Sequence, residues 1–478
     1  MQPIRCLALL LSGSFVCAQA ATDVAQPSTA AVAAPSPPYT AVVLTGQNNH
    51  DWRFTSGELA AALRDSGCFT VTVVDRPATY LAALNATERP QLFVLDYNGD
   101  RWGEAAEQAF TAAVEAGTGV TVVHAANNAF AGWRDYERLV GLLWRDGAGH
   151  GRYHPFDVHV VDPHHAITRG MQDLRRHPDE LYHGLTHADG SEHRVLLSAF
   201  SDPQHGGTGR FEPMALVGRF GEGRVFHTTL GHTWQGVPQS RATWADPQLR
   251  WLVARGSEWA ASGAVTLSPV PPNVLADAER QQGFVALFDG RSLAGWRAYR
   301  GDGPPGRGWV VRELALVHEA GGGGGDLVSE REYAEFEFRF RFRLGRGANS
   351  GVMWHVQEDA EASYMSGPEY QLLDDLTARP EPRHGTGALY DLVAPREPVL
   401  RPAGEWNDGR ILVQAGRVQH WLNGELVVDA PCRGPEWEAM VAGSKFRTWP
   451  FGKAGAGRLA LQDHGDEVAF RDLRIRTW

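Results

Sequence analysis

The sequence predicts a protein of two domains, an α/β domain followed by an all-β domain. A chain of 478 residues is too long for one hydrophobic core of ordinary size. Up to about residue 260, wholly apolar strand segments alternate with helical segments, which is typical of a parallel sheet with helices on both faces. Beyond about residue 283, the strands alternate apolar and polar residues, which is typical of antiparallel sheets packed in a sandwich.

The predicted elements of the first domain, residues 39–260, follow the apolar periodicity. Short apolar runs without polar alternation indicate strands, and apolar residues every three or four positions indicate helices. Thr55 is a candidate N-cap. The elements are strand 39–45, a helix beginning at Thr55, strands 69–74 and 91–95, helix 104–116, strand 120–123 and helix 136–143.

A Pro-rich segment, residues 261–282, is predicted to link this domain to the second, residues 283–478. In FEFRFRFRL, residues 336–344, the Phe side chains share one face of a strand and the Glu and Arg side chains share the other. The other predicted features are strands 410–413 and 418–422 and a two-residue hairpin turn at Asn423-Gly424.

Composition excludes some classes of function. The chain has 45 Lys and Arg against 56 Asp and Glu, a formal net charge of −11. Nucleic-acid binding depends on clustered Lys and Arg, so no nucleic-acid partner is expected. No stretch is long and apolar enough to span a bilayer, so no membrane span is expected either.

The first 20 residues have the pattern of a cleaved secretory signal. Arg5 supplies positive charge, residues 7–16 form a short apolar run, and residues 18–20, AQA, fit a small-x-small cleavage site. A lipoprotein signal is less favoured because valine precedes the nearby cysteine. We therefore expect a periplasmic or secreted protein, with residues 21–38 as a disordered leader rich in Ala, Pro, Ser and Thr.

Polar residues follow three of the predicted parallel strands. They lie in the segments QNNHDW, DYNG and HAANN. The carboxyl ends of parallel strands meet at one sheet edge, where ligands bind. The sequence therefore predicts one crevice suited to sugar hydroxyls, although loops are polar and Asn favours turns in any case. The predicted crevice residues are Asn49, His50, Asn98, His124, Asn127 and His232.

Metal binding in this domain stays open. No histidine pair has the helical HxxxH spacing, and a single buried histidine is more often a hydrogen-bonded core residue than a ligand. If a divalent metal binds, the favoured ligands are His50, His124 and His232, because each ends an apolar strand.

With GLLWRDGAGHG, DELYH and GRVFHTTLGHTW, these segments resemble the ThuA-like family of trehalose-utilisation proteins over residues 39–260. The resemblance implies a flavodoxin-like, class I glutamine amidotransferase-like fold. Amidotransferase activity needs a Cys nucleophile on a strained strand-to-helix turn. The comparable position here is His124, and Cys68 lies elsewhere, so glutamine hydrolysis is not expected.

The second domain carries residues suited to a carbohydrate site. Glu369 and Gln371 lie two apart in one strand and therefore share a face. Trp and Tyr rings stack on sugar rings, and amides and carboxylates bind hydroxyls. The predicted substrate-binding residues are Asn349, Trp354, Gln371, Tyr390, His420, Gln462 and Arg471.

Six segments in order, GANSGVMW, GPEYQLLDD, GTGALYDLVAP, PAGEWN, HWLNGE and QDHGDEVAFRDLRIR, resemble the 3-keto-disaccharide hydrolase domain family. The resemblance covers about residues 284–478 and implies a concanavalin-like jelly-roll sandwich. It also implies a substrate oxidised at C3 of its sugar ring, supplied by an upstream sugar 3-dehydrogenase.

The chemistry that this resemblance implies differs from ordinary glycoside hydrolysis, which uses two carboxylates. A C3 ketone acidifies the C2 proton, so one base can start β-elimination, and water then adds back. The predicted catalytic residues are His464, Glu369 and Asp374, with Tyr390 or Arg471 at the enolate oxygen. The catalytic three could instead hold a divalent metal.

A second class of function stays open, a lectin-like protein with two carbohydrate-binding modules and no turnover. Sandwiches of this kind include many lectins, and fold does not determine function. Convergence of Glu369 and His464 in one pocket would favour the enzyme, because a lectin has no need of an acid-base pair.

Overall fold

The structure, a computed structural model, describes residues 39–85 and 87–478. The predicted signal peptide, residues 1–20, and leader, residues 21–38, lie outside the described residues. Within the described residues, no helix combines the length and apolarity needed to cross a membrane.

The first domain contains strands β1 to β13 and helices α1 to α6. Its strands are β1 (Tyr39–Leu44), β2 (Phe69–Val74), β3 (Leu92–Leu95), β4 (Gly119–Val123), β5 (Leu142–Leu143), β6 (Gly149–His150), β7 (His154–Val160), β8 (Leu174–Asp179), β9 (Tyr182–His183), β10 (Thr186–His187), β11 (His193–Phe200), β12 (Phe211–Phe220) and β13 (Gly223–Thr228). Its helices are α1 (Trp52–Asp65), α2 (Pro77–Ala82), α3 (Glu104–Glu115), α4 (Arg134–Val140), α5 (Ala242–Ala245) and α6 (Pro247–Ser262).

These strands form a sheet in the order β2-β1-β3-β4-β13-β12-β11-β7-β8. From β2 to β13 the neighbours are parallel, in the order of a flavodoxin-like sheet. From β13 to β8 they are antiparallel. The predicted fold class is confirmed, but the sheet is mixed rather than wholly parallel. Gly221 and Glu222 alone join β12 to β13, which is too short for the crossover that parallel strands require.

One predicted element of this domain ends early. The helix predicted over 136–143 is α4, which ends at Val140, and Leu142–Leu143 form a short strand instead. Gly141 has φ of 78°, and a glycine at positive φ is a common helix terminator.

The second domain contains strands β14 to β26 and helices α8 and α9, and α7 lies in the segment that precedes it. Its strands are β14 (Val285–Ala286), β15 (Trp296–Ala298), β16 (Trp309–Arg312), β17 (Ala315–His318), β18 (Leu327–Tyr333), β19 (Phe336–Leu344), β20 (Asn349–Val356), β21 (Glu369–Leu373), β22 (Asn407–Gln414), β23 (Arg417–Leu422), β24 (Glu425–Pro431), β25 (Gly457–Leu461) and β26 (Val468–Thr477). These helices are α7 (Asp277–Gln281), α8 (Asp375–Ala378) and α9 (Gly434–Ala442).

Two antiparallel sheets pack as the predicted sandwich. One has the order β16-β17-β26-β19-β22-β23-β24, with β14 against β26, and the other has the order β15-β18-β25-β20-β21. The Phe side chains of β19 are buried between the sheets, and its Arg side chains lie on the other face of their sheet. The Asn423-Gly424 turn joins β23 to β24 with φ of 51° and 92°, as the sequence predicts.

The segment predicted as a linker, residues 261–282, is hydrogen-bonded to both domains. The Glu258 carboxylate in α6 accepts from the backbone N–H of Thr266 at 2.8 Å and of Leu267 at 3.2 Å. Asn273 and Asp472 each donate a backbone N–H to the other's side chain, at 2.7 Å in both directions. The segment is therefore held in place rather than free, and the domain boundaries themselves stay a prediction.

Candidate functional sites

A cavity in the second domain gathers six of the predicted site residues. Its volume is about 360 Å³, within the range of roughly 300–1,000 Å³ usual for small-molecule pockets. We call it the sheet-face cavity, because β20 and β21 contribute to it from the face that points away from the sandwich core. It is lined by Asn349, Tyr364, Glu369, Gln371, Tyr390, Lys445, Phe446, Gln462 and His464.

Strand pairing explains how the first of these side chains come together. β20 and β21 are antiparallel, with Gly351 opposite Gln371 and Met353 opposite Glu369. A Cβ atom on Gly351 would lie 2.1 Å from Glu369 Oε1, closer than any stable contact. The glycine in the GANSG segment therefore leaves room for the Glu369 carboxyl group.

The carboxyl group of Glu369 in the sheet-face cavity has a raised pKa. Burial and the nearby charge of Asp326 raise its pKa to about 8, although Lys445 acts in the opposite direction. The side-chain amide of Gln371 has its nitrogen towards two acceptors. It donates to Glu369 Oε1 at 3.0 Å and to the Ser350 carbonyl oxygen at 3.2 Å. The Glu369 carboxyl group is therefore protonated at neutral pH and held in one orientation.

His464 lies on a loop that Asp463 holds in place. Asp463 accepts the backbone N–H groups of Gly325 and Gly465, each at 2.9 Å, and its own N–H donates to Asp326 Oδ1 at 2.8 Å. The buried His318 lies beneath, with Nε2 3.0 Å from Asp463 Oδ1. His464 itself is exposed at the cavity wall.

Sequence reasoning missed Lys445, which supplies a cation to the sheet-face cavity. Its Nζ lies 4.3 Å from the centre of the Tyr390 ring, and its backbone N–H donates to Asp391 Oδ2 at 3.2 Å. One signal could have indicated it. The chain contains two lysines, Lys445 and Lys453, among its 45 Lys and Arg residues. Because nearly all its basic residues are arginine, each lysine stands out as a candidate for a particular role.

Two residues predicted to bind substrate lie in the sandwich core instead. Trp354 is five positions from Asn349, and residues an odd number apart in a strand point to opposite faces. It is 2% exposed and packs between the sheets. His420 shares its parity with Val418 and Leu422, is fully buried, and hydrogen-bonds the Gly387 carbonyl at 3.0 Å.

Two further predicted residues also lie outside the sheet-face cavity. Asp374 Oδ2 accepts the Gly347 N–H at 2.8 Å, so this carboxylate closes a loop and does not join Glu369 and His464 in a metal site. Arg471 belongs to β26 in the other sheet, where its guanidinium stacks 4.1 Å from the centre of the Trp406 ring. Lys445, rather than Arg471, is thus the cation near Glu369.

In the first domain, three predicted residues form a buried cluster. One ring nitrogen from each of His50, His124 and His232 lies within 4.8 Å of the others, and we call this group the histidine cluster. Desolvation lowers the pKa of His50 to about 4 and of His232 to about 3. It also lowers the pKa of His124, with further lowering by the neighbouring histidines. All three are therefore neutral imidazoles at pH 7.

The topology of the sheet brings these histidines together. His50 follows β1, His124 follows β4 and His232 follows β13, and these strands end at the same sheet edge. The Asn98 amide donates to Asn49 Oδ1 at 2.8 Å, and that oxygen lies 3.1 Å from His50 Nδ1. These two asparagines thus adjoin the cluster.

Asn127 lies on the 3-10 helix His124–Asn128. It is fully buried, and neither of its amide atoms has a hydrogen-bond partner among the described residues. Its place in the crevice stays a prediction.

Glu180 and Trp234 border the histidine cluster and were missed by the sequence analysis. Glu180 Oε2 lies 3.1 Å from His232 Nδ1 and 3.3 Å from His150 Nδ1, and burial raises the pKa of its carboxyl group. Trp234 stacks on His50 with ring centres 4.9 Å apart. Glu180 follows the antiparallel strand β8, so the strand-end rule does not find it. Trp234 follows the parallel strand β13 at the same separation as His50 follows β1, so the rule could have indicated it.

Comparison with known proteins decides the family. A 3-keto-disaccharide hydrolase from Bacteroides thetaiotaomicron is 30% identical over 228 residues, which cover 41% of this chain and 78% of the relative. The chain belongs to the 3-keto-disaccharide hydrolase family. Residues 283–476 match the family described as a 3-keto-alpha-glucoside-1,2-lyase-like domain. Residues 40–260 match the ThuA family, described as trehalose utilisation, so both predicted resemblances are confirmed.

Solved structures similar to each domain are also known. A provisionally assigned glycosyl hydrolase from Parabacteroides distasonis is 31% identical, with 43% of this chain and 99% of that one covered and a TM-score of 0.40. A provisionally assigned ThuA-like protein from Parabacteroides merdae is 31% identical, with 50% and 96% covered and a TM-score of 0.45.

Proposed function

We propose that this member of the 3-keto-disaccharide hydrolase family cleaves the glycosidic bond of 3-keto-glycosides in the sheet-face cavity. One observation carries the proposal. The cavity combines a buried carboxyl group that is protonated at neutral pH, an exposed imidazole and a lysine cation. A lectin needs none of these three groups to bind a sugar, whereas elimination beside a ketone needs an acid, a base and a partner for the enolate.

The reaction begins at C2 of the oxidised ring. His464 removes the C2 proton, and the electrons of the C–H bond form an enolate whose charge lies on the C3 oxygen. Lys445, whose Nζ lies over the Tyr390 ring, stabilises that oxygen, because preorganised donors are most effective where charge develops. Of the two enolate partners predicted from the sequence, Tyr390 lines the sheet-face cavity and Arg471 does not.

The enolate then collapses and expels the group at C1. The C3 carbonyl reforms, a C1–C2 double bond forms, and the C1–O bond breaks. Glu369 protonates the departing oxygen, which suits a carboxyl group whose pKa is about 8. Water next adds to C1 and gives its proton to Glu369, while His464 returns a proton to C2. The net change is hydrolysis, with both residues restored.

Location and supply of substrate are part of the same proposal. The protein acts outside the cytoplasm after loss of residues 1–20, and an enzyme that oxidises C3 of a sugar supplies its substrate. N-terminal sequencing of mature protein should begin near Ala21, and full-length protein recovered from the cytoplasm would contradict the secretion step.

The test compares 3-keto-trehalose and 3-keto-glucosides with their unoxidised parents. We expect cleavage of the keto forms alone, because the C2 proton of the parent is too weakly acidic for a side-chain base. In deuterium oxide, the product should carry deuterium at C2. Equal activity on unoxidised trehalose would refute the mechanism, and binding without turnover would favour the lectin-like alternative.

A further inference from the structure

We propose that the histidine cluster of the first domain binds one divalent transition-metal ion, with His50, His124 and His232 as ligands and an open position facing Glu180. Three histidines with one position left for water or substrate form a recurrent catalytic zinc arrangement. The proposal is independent of the sheet-face cavity, since all of its residues lie in the other domain.

Hydrogen bonds made by Nδ1 of two histidines leave a lone pair on each Nε2 atom that can bind a metal. His124 Nδ1 lies 2.6 Å from the Thr229 carbonyl oxygen, which can accept a proton but not donate one. His50 Nδ1 lies 3.2 Å and 3.1 Å from the side-chain oxygens of Asn48 and Asn49. In each ring Nδ1 therefore carries the proton, and Nε2 has a lone pair. Metal-binding histidines are usually fixed in this way.

The spacing of one nitrogen pair in the cluster fits a tetrahedral ion, and all three ligand atoms lie within 4.8 Å of one another. Ligand nitrogens about 2.0–2.1 Å from a tetrahedral zinc ion are about 3.3 Å apart. His124 Nε2 and His232 Nδ1 are 3.3 Å apart, so no movement is needed for this pair. The Tyr182 hydroxyl also lies 2.9 Å from His124 Nε2 and can turn its proton to a water in the open position.

The backbone at His124 supports a functional role for its side chain. His124 has φ of 46°, in the left-handed region, which is strained for a residue with a Cβ. It stands at the turn from β4 into a 3-10 helix, and the ring is 3% exposed. Strain of this kind persists where the surrounding structure holds a side chain in a required place.

Backbone hydrogen bonds also hold His232 in place. Asp179 accepts the N–H groups of Gly231 at 2.8 Å and of His232 at 3.2 Å. Among the described residues, Nε2 of His232 has no hydrogen-bond partner. Glu180 Oε2, 3.1 Å from Nδ1 of His232, is close enough to accept a proton from a water bound to the ion.

The test measures metal content in the tag-free full-length chain. The protein is stripped with a chelator, loaded with Zn²⁺ or Co²⁺, desalted and analysed by elemental mass spectrometry. We expect about one ion per chain, a tetrahedral Co²⁺ absorption spectrum, and a rise in Tm of about 5 °C at a hundredfold excess over Kd. Wild-type protein that retains no ion would overturn the proposal.

Variants locate the ion. His232→Gln and His50→Asn should each lose most of the bound metal, with circular dichroism of the metal-free form as the check on folding. The matched control is His187→Gln, at an exposed histidine that pairs with His193 at 3.0 Å, which should keep the full content. Undiminished metal in both cluster variants would overturn the proposed ligands. Glu180→Gln should also keep the ion, because Glu180 is not a proposed ligand. Loss of the ion from this variant would contradict the proposal that Glu180 faces an open position.

Discussion

The two candidate sites of this chain are built from different parts of β-structure. In the first domain, the histidine cluster lies just beyond the ends of three parallel strands, so the strand order alone brings its residues together. In the second domain, the sheet-face cavity uses side chains within β20 and β21 and from distant loops. A strand-end site can therefore be found from topology, whereas a sheet-face site depends on strand parity and on which sheet each strand joins.

Glu369→Gln is expected to separate the two sites most clearly, because it should affect turnover at one and not metal binding at the other. Loss of a proton-transfer residue typically costs 10²–10⁴-fold in rate, so kcat on a 3-keto-glycoside should fall by about that factor. Metal uptake by the histidine cluster should be unchanged. Glu332→Gln, at an exposed glutamate of the same domain, is the control. Normal turnover in Glu369→Gln would show that the sheet-face cavity is not the reaction site.

Lys445→Met should have the next largest effect. Removing one donor to a developing oxyanion costs about 10²–10³-fold in kcat, and we expect about 10². The matched control is Lys453→Met, since Lys453 is the chain's other lysine and does not line the cavity. Equal kcat values in the two variants would show that a residue other than Lys445 stabilises the enolate oxygen.

A third prediction concerns the first domain alone. Burial by itself would lower the pKa of His177, but hydrogen bonds to Asp179 and Asp246 and their charges outweigh it and raise the pKa to about 9. A raised folded-state pKa adds stability below the unfolded value of about 6.5, and this stability is lost as the pH rises towards 9.

The contribution of His177 to the free energy of unfolding should therefore fall by about 2 kcal/mol from pH 6.5 to pH 8.5, measured by urea titration as the difference between wild type and His177→Asn. His177→Asn should be less stable at pH 6.5 and lack this dependence, while His187→Asn should behave as wild type. A stability difference between wild type and His177→Asn that stays constant over this range would refute the buried charge.

The smallest effect should appear in the pH dependence of turnover. Because Glu369 acts first as an acid and its pKa is raised to about 8, kcat/KM should fall about tenfold for each pH unit above 8. The residual kcat/KM of Glu369→Gln should not fall in this way above pH 8. A wild-type rate that instead rises through pH 8 would make Glu369 the base and reverse the roles given to it and His464.

The sequence alone determined the architecture and six of the nine residues that line the sheet-face cavity. Apolar runs without alternation gave the parallel strands, and period-two alternation gave the sandwich, because burial on two faces or on one dictates these patterns. Parity placed Glu369 and Gln371 on one face, and it could also have assigned His420 to the core with Val418 and Leu422. The strand-end rule placed His50, His124 and His232 at one edge.

The tertiary structure alone decided the remainder. Lys445 and Asp326 lie far along the chain from Glu369, and Glu180 lies far from His50 and His124. Nothing local marks such pairs, because their approach depends on how strands pair and how loops fold over them. The protonation state of Glu369 also depends on the tertiary structure. The pKa of the Glu369 carboxyl group is raised by burial and by the charge of Asp326, and both are properties of the folded protein.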